Sequence, residues 1–225
     1  TSDEKVIFPV TVQANGSAVY TIKVGIPQEC PVKACGRYYP ERVDDVAWEN
    51  DLTAFRAYGP ALQETGERAF GYDIWTKYNT TEPVVEARYE GELNPDMKAK
   101  IAELGKTDPK AAQELYRSVS YHVDHGNGLD CYKVGPTLGG GTTALMAGDT
   151  IVYPYCYATQ EILDNGPLRF TVKLVYNPLV VKGDSTIIET RIITLDAGSY
   201  CNKTVVSYTN LKETMPLAVG IVLHE

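Results

Sequence analysis

The chain reads as an all-β protein, a large antiparallel β-sandwich broken by one short helical insert at about residues 95–118. Three observations predict this. Strand-like runs recur along the 225 residues against a single helical pattern. Within Arg169–Tyr176, polar residues 169, 171 and 173 alternate with apolar 170, 172 and 174, giving one wet face and one buried face. Sixteen tyrosines stand against four phenylalanines, and tyrosine suits strands. A sandwich of this length is routinely one unit, so a single domain over residues 1–225 is expected.

Taken in order, Val6–Val12 and Ala18–Val24 are β-branched runs joined across Asn15-Gly16, a strong hairpin-turn signal. Residues 37–51 then hold five carboxylates and two arginines around Trp48. This stretch reads as a polar segment at the mouth of a binding cleft, with a solvated, self-neutralising loop as the plainer reading. Asp51–Tyr58 is a strand closed by Gly59-Pro60, and Tyr72–Lys77 is another. Asn94-Pro95 opens the helical insert, where Met97, Ile101 and Leu104 recur at helical spacing before Gly105. A further turn or two follows Asp108-Pro109 through Tyr116. Strands return at 150–158, 168–176, 185–195, 203–208 and 217–223. The chain stops inside a strand-like run, Gly220–Glu225, so a longer parent protein is expected.

Composition narrows the partners. The net charge is -8, with a pI near 5.0 and no Lys/Arg run. That excludes nucleic acid and anionic membrane as main partners, since both require a basic face. No span of about 20 apolar residues occurs, so no transmembrane helix is expected. The polar start, Thr1–Lys5, lacks a signal-peptide core and reads equally well as a mature N-terminus. Five cysteines leave at least one thiol free; Cys30 and Cys35 could close a small loop. Sequons stand at Asn15, Asn79 and Asn202. Gly139-Gly140-Gly141 lacks the ending and the basic neighbour of a phosphate loop, so it reads as a glycine turn. Neither GxSxG nor HExxH is present.

The densest chemistry lies at Tyr121–Lys133. Two of the three histidines, His122 and His125, sit there with Asp124, Asp130, Tyr121, Tyr132 and Lys133. Gly126, Asn127 and Gly128 force a turn that presents these groups on a loop. Imidazoles oriented by carboxylates do acid/base work near neutral pH. The pattern also echoes the latter half of an HxHxDH metal motif, but position 120 is Ser and His224 is the only other histidine. No cofactor is therefore expected, with a divalent metal as the lesser alternative.

These residues carry a family resemblance. Pro40-Glu41-Arg42, Ala47–Asp51, Ala54-Phe55-Arg56, Asp73-Ile74-Trp75, Tyr121-His122, Asp124-His125-Gly126 and Tyr132–Gly135 resemble an uncharacterised secreted family of Bacteroidetes. Its members are often encoded beside polysaccharide-degrading enzymes. Membership implies a secreted or periplasmic location, and the family looks like the galactose-mutarotase group in fold, which implies a sugar ligand. The histidine motifs of true mutarotases align with nothing here, so the reaction does not carry over.

Two readings follow. In the first, the protein is an enzyme acting on a sugar or uronate-containing oligosaccharide during polysaccharide breakdown. His122 and His125 supply acid/base chemistry, Asp124 or Asp130 orients an imidazole, and Tyr121 or Tyr132 moves a second proton. Lys133 or Arg56 holds a uronate carboxylate, Trp48 and Trp75 offer stacking faces, and Glu49 and Asp51 line the mouth. Mutarotase or epimerase, polysaccharide lyase and glycoside hydrolase chemistry all fit. In the second, the same groups form a non-catalytic carbohydrate-binding module. An enclosed cleft joining the 42–56 and 121–133 segments favours the enzyme, whereas a flat aromatic platform with peripheral histidines favours the module.

Overall fold

Four consecutive short strands each place apolar residues on one face and charge on the other, and the fold is built around the sheet they form. In the computed structural model, which describes residues 1–26 and 29–224, these are β1 (Ala34–Tyr39), β2 (Asp45–Asn50), β3 (Thr53–Ala57) and β4 (Asp73–Thr76). They pair antiparallel in chain order. A short helix α1 (Pro60–Glu64) lies between β3 and β4. Three helices follow: α2 (Val85–Leu93), α3 (Pro95–Thr107) and α4 (Pro109–Val119). Next come β5 (Gly140–Ala147) and β6 (Thr150–Val152). The strands β7 (Tyr157–Gly166), β8 (Arg169–Tyr176), β9 (Leu179–Val181), β10 (Asp184–Asp196) and β11 (Lys203–Thr209) form a second antiparallel sheet. Its order is β11-β10-β8-β7, with β9 paired to β10. Finally β12 (Leu217–Ile221) joins β5 and β6 in a third, small sheet.

The first two sheets pack face to face. Val46, Trp48, Phe55 and Ala57 meet Phe170, Val172, Leu174, Ile193 and Leu195 in one buried cluster. Trp48 stacks with Phe55 at 5.9 Å and with Phe170 at 6.2 Å. Gly36 is required here, since a Cβ would fall 2.8 Å from the Phe170 ring. Truncating a ring in such a core costs about 3–5 kcal/mol. The other face of the first sheet carries Tyr39, Ala47, Ala54 and Trp75 against Val85 and Tyr89 of α2 and against Tyr121. The first sheet is thus a middle layer, with a sheet on one side and helices plus the histidine loop on the other.

The all-β sandwich reading holds, as does the helical insert. Asn94 accepts from the Met97 N–H at 3.0 Å and Asp108 from the Ala111 N–H at 3.0 Å, with Pro in each first turn. The insert also begins earlier than expected, at α2. Three readings are corrected. Residues 6–12 and 18–24 form no strands; the turn exists, with the Gly16 N–H donating to the Gln13 carbonyl at 2.9 Å, but the apolar side chains other than the half-buried Ile7 stay exposed. Alternation alone makes no strand when no ladder partner is beside it. Conversely, the polar stretch 37–51 is mostly β1 and β2, and every residue of β2 is buried. All five cysteines are free thiols, so Cys30 and Cys35 close no loop. Among the described residues no helix is long and apolar enough to cross a membrane. Of the run 220–225, Glu225 lies outside the described residues.

Candidate active site

The period-2 geometry of strands builds the site. Val46, Trp48 and Phe55 face the core, so their neighbours Asp45 and Arg56 face the helical layer. Register sets Arg56 directly opposite Asp73 of β4. An isolated bridge between Trp75 and Asp130 brings the histidine loop to the same place. The Arg56 guanidinium then contacts three buried carboxylates: Asp73, Asp130 at 2.6 Å and Asp45 at 3.8 Å. Tyr89 donates its hydroxyl to Asp45 at 3.1 Å, and Tyr58 donates to Asp73 at 3.3 Å. Arg56 lies over Trp75 at 5.1 Å, and Trp75 stacks on Tyr121 at 5.2 Å.

Charge does not balance in this cluster. Three carboxylates share Arg56 and a longer contact to Arg42, 3.9 Å from Asp45. Burial pushes the Asp45 carboxyl up to about 7, against the pull of Arg56 and Arg42. Burial likewise pushes Asp73 up to about 6, opposed by Arg56 and aided by the nearby Asp130 charge. Asp45 Oδ1, Asp130 Oδ1 and Arg56 Nε have no hydrogen-bond partner among the described residues. A cluster of this kind gains a proton readily at mildly acidic pH.

It opens into a cleft of about 500 Å³. Arg42, Arg56 and Tyr58 line it from the sheet, and His122, Asp130 and Lys133 from the loop, so the two segments share one cleft. The His122 side chain is 51% exposed, with Nδ1 3.1 Å from the Asp130 carbonyl and 3.6 Å from its carboxylate. Donation from Nδ1 to that carbonyl leaves a lone pair on Nε2, which has no protein partner among the described residues. Tyr121 lies beneath the ring, buried, its hydroxyl accepting from Arg42 at 2.9 Å. Tyr132 and Lys133 complete the wall; Tyr132 donates to the Val222 carbonyl at 2.8 Å.

Several expected site residues serve the scaffold instead. His125 does not line the cleft; its Nε2 contacts the Ser120 carbonyl at 2.9 Å. Asp124 orients neither histidine but accepts from the Gly126 and Gly128 N–H groups, closing the turn. Gly128 is needed there: its φ is +97, and a Cβ on it would fall 2.0 Å from the Thr76 carbonyl oxygen. Trp48 and Trp75, at 0% and 1% exposure, have no face left for a sugar. Glu49 is buried and accepts from the Val84 and Val85 N–H groups and from Lys77. Asp51 accepts from the Gly198 N–H at 2.7 Å. Sequence reasoning misses Asp45, Tyr58, Arg68, Asp73 and Tyr89 as site residues. The signal that finds two of them is alternation: 45 and 73, like the expected 56, are off-core positions of the first sheet's strands. Among the described residues, no three His, Cys, Asp or Glu side chains converge as a metal cage.

Fold and site together define a β-sandwich protein with a helical layer, in which a buried arginine–carboxylate cluster backs a histidine-bearing cleft. The chain belongs to the family described as a domain of unknown function, DUF4861, which it matches over residues 1–225. It is similar to the Uncharacterized protein P7 of Formosa agariphila, with 28% identity over 208 residues, 89% of this chain and 46% of that protein. The chain thus spans about half the length of the curated relative it matches. No solved structure matches it.

Proposed function

We propose that the protein is a carbohydrate-active enzyme that abstracts a proton beside the carboxylate of a uronate unit in an oligosaccharide. One observation carries this: His122, tethered through Nδ1 to Asp130, faces the same cleft as Arg42, Arg68 and Lys133. Arg68 and Lys133 have no ion-pair partner among the described residues, which favours an anionic ligand. Cations on the uronate carboxylate stabilise the negative charge that develops when the adjacent C–H is broken. His122 Nε2 takes that proton, the C–O bond to the leaving sugar breaks, and a C=C bond forms. Tyr58 lines the same cleft, and its hydroxyl, turned from Asp73, gives a proton to the departing oxygen. Hydrolysis by a carboxylate pair fits less well, because Asp130 is engaged by Arg56 and Glu67 is the other acid on the cleft wall.

The resemblance to the galactose-mutarotase group supports a sugar as ligand, and the resemblance to a secreted Bacteroidetes family supports a secreted or periplasmic location. Because the chain covers 46% of its Formosa relative, the reaction belongs to whatever whole protein carries this domain. The test is incubation with alginate, polygalacturonate and neutral plant glucans, following the ultraviolet absorbance of an unsaturated uronate. Turnover of a uronate polymer is expected, with a loss of at least about a hundredfold in His122→Ala. New reducing ends without that absorbance would replace elimination by hydrolysis. Binding without any product would leave a carbohydrate-binding module.

A further inference from the structure

We infer that Phe70, Tyr153 and Tyr155 form a second sugar subsite, a stacking platform for a pyranose ring of the same oligosaccharide, adjoining the cleft; this rests on the reading of the cleft as a uronate site. Phe70 precedes β4, and the two tyrosines follow β6 with Pro154 between them. Phe70 stacks on Tyr153 at 5.0 Å with 27° between planes, and meets Tyr155 edge-on at 5.7 Å. All three are only partly buried, and none belongs to the four hydrophobic clusters of the interior. Aromatic rings held by one another at the surface, outside any core, supply the flat apolar face and hydroxyl rim that a sugar ring uses.

The platform is continuous with the cleft. Arg68, on the cleft wall, extends over the Tyr155 ring at 5.9 Å. Tyr155 donates its hydroxyl to the carbonyl of Glu67, also on the wall, at 3.4 Å. The Phe70 N–H donates to the carbonyl of Gly135, which closes the cleft from the loop side, at 3.4 Å. A chain whose uronate sits at Arg68 and His122 therefore lays its neighbouring unit on these rings. They take the role that the buried Trp48 and Trp75 cannot fill.

The experiment is calorimetric titration with mono-, di-, tetra- and hexameric alginate and galacturonate oligomers, on the wild type, Phe70→Leu, Tyr155→Leu, Tyr155→Phe and His122→Ala. Wild-type affinity rises with length. Both leucine variants lose about tenfold for the longer oligomers and nothing for the monomer. Tyr155→Phe, which keeps the ring, keeps the affinity and shows that the site tolerates substitution. His122→Ala abolishes turnover and weakens every oligomer by the same factor, so the rise of affinity with length persists, separating failure of catalysis from failure of the subsite. Length dependence that survives both leucine changes overturns the platform, and so does the absence of binding by every oligomer.

Discussion

Asp45 holds a carboxyl where water does not reach, one hydroxyl and two arginines being its polar company. Its folded pKa of about 7 lies above the ordinary value of about 4 for aspartate. The folded state therefore binds this proton more tightly than the unfolded chain does. That contribution to stability is complete below about pH 4 and is lost as pH rises through about 7. Asp45→Asn keeps an acceptor for Tyr89 and removes the titration. The gap in Tm between Asp45→Asn and wild type should widen in the variant's favour from pH 4 to pH 7 and then level off. A gap constant across that range would mean that Arg56 alone fixes the carboxylate's charge. The same proton reservoir sits behind His122, through Arg56 and Asp130, so activity and stability are both expected to bend in this interval.

At the scale of elements, α2 is the piece that fixes the helical layer to the sheet, and its N-terminus is capped from across the fold. Glu49 of β2 accepts at 2.9 Å from the N–H groups of Val84, the cap residue, and Val85, the first residue of α2, and pairs with Lys77, whose side chain is 0% exposed. Glu49→Ala leaves that buried ammonium with the Asn50 and Glu82 carbonyls but no carboxylate and uncaps the helix together, so a loss of about 3–5 kcal/mol is expected in urea unfolding. Glu49→Gln, which retains an acceptor for the helix, should lose less. This cross-fold cap explains why α2 escapes sequence reading: it has no local Ser, Thr, Asn or Asp cap, whereas α3 and α4 announce themselves by Asn94-Pro95 and Asp108-Pro109. It explains the misreading of β2 as well. Its carboxylates look like a solvated loop until Arg56, Lys77 and α2 are placed around them, and those partners lie 11, 28 and more residues away. The β8 alternation and the shared cleft of the two polar segments are legible because each needs only local pattern or paired composition. The failure of residues 6–24 to pair is a matter of tertiary context that alternation does not encode.

For the whole molecule, core and site are opposite sides of one sheet. The same strands, β2–β4, that give Trp48 and Phe55 to the interior give Asp45, Arg56 and Asp73 to the buried cluster behind the cleft, in strict alternation. In a protein whose site sits on loops, the scaffold can be edited without touching the chemistry, and gaps accumulate around a fixed core. Here reading frame within a strand is itself part of the site. Deleting any single residue from β2 or β3 slides Arg56 or Asp45 into an apolar interior and turns Trp48 or Phe55 toward the cleft. A library of one-residue deletions should therefore yield no folded protein across residues 45–57 except at the turn, positions 51 and 52, while the exposed stretch 6–24 accepts them freely. Changes to this domain's chemistry are consequently confined to exchange of one side chain for another, and length variation to its edges.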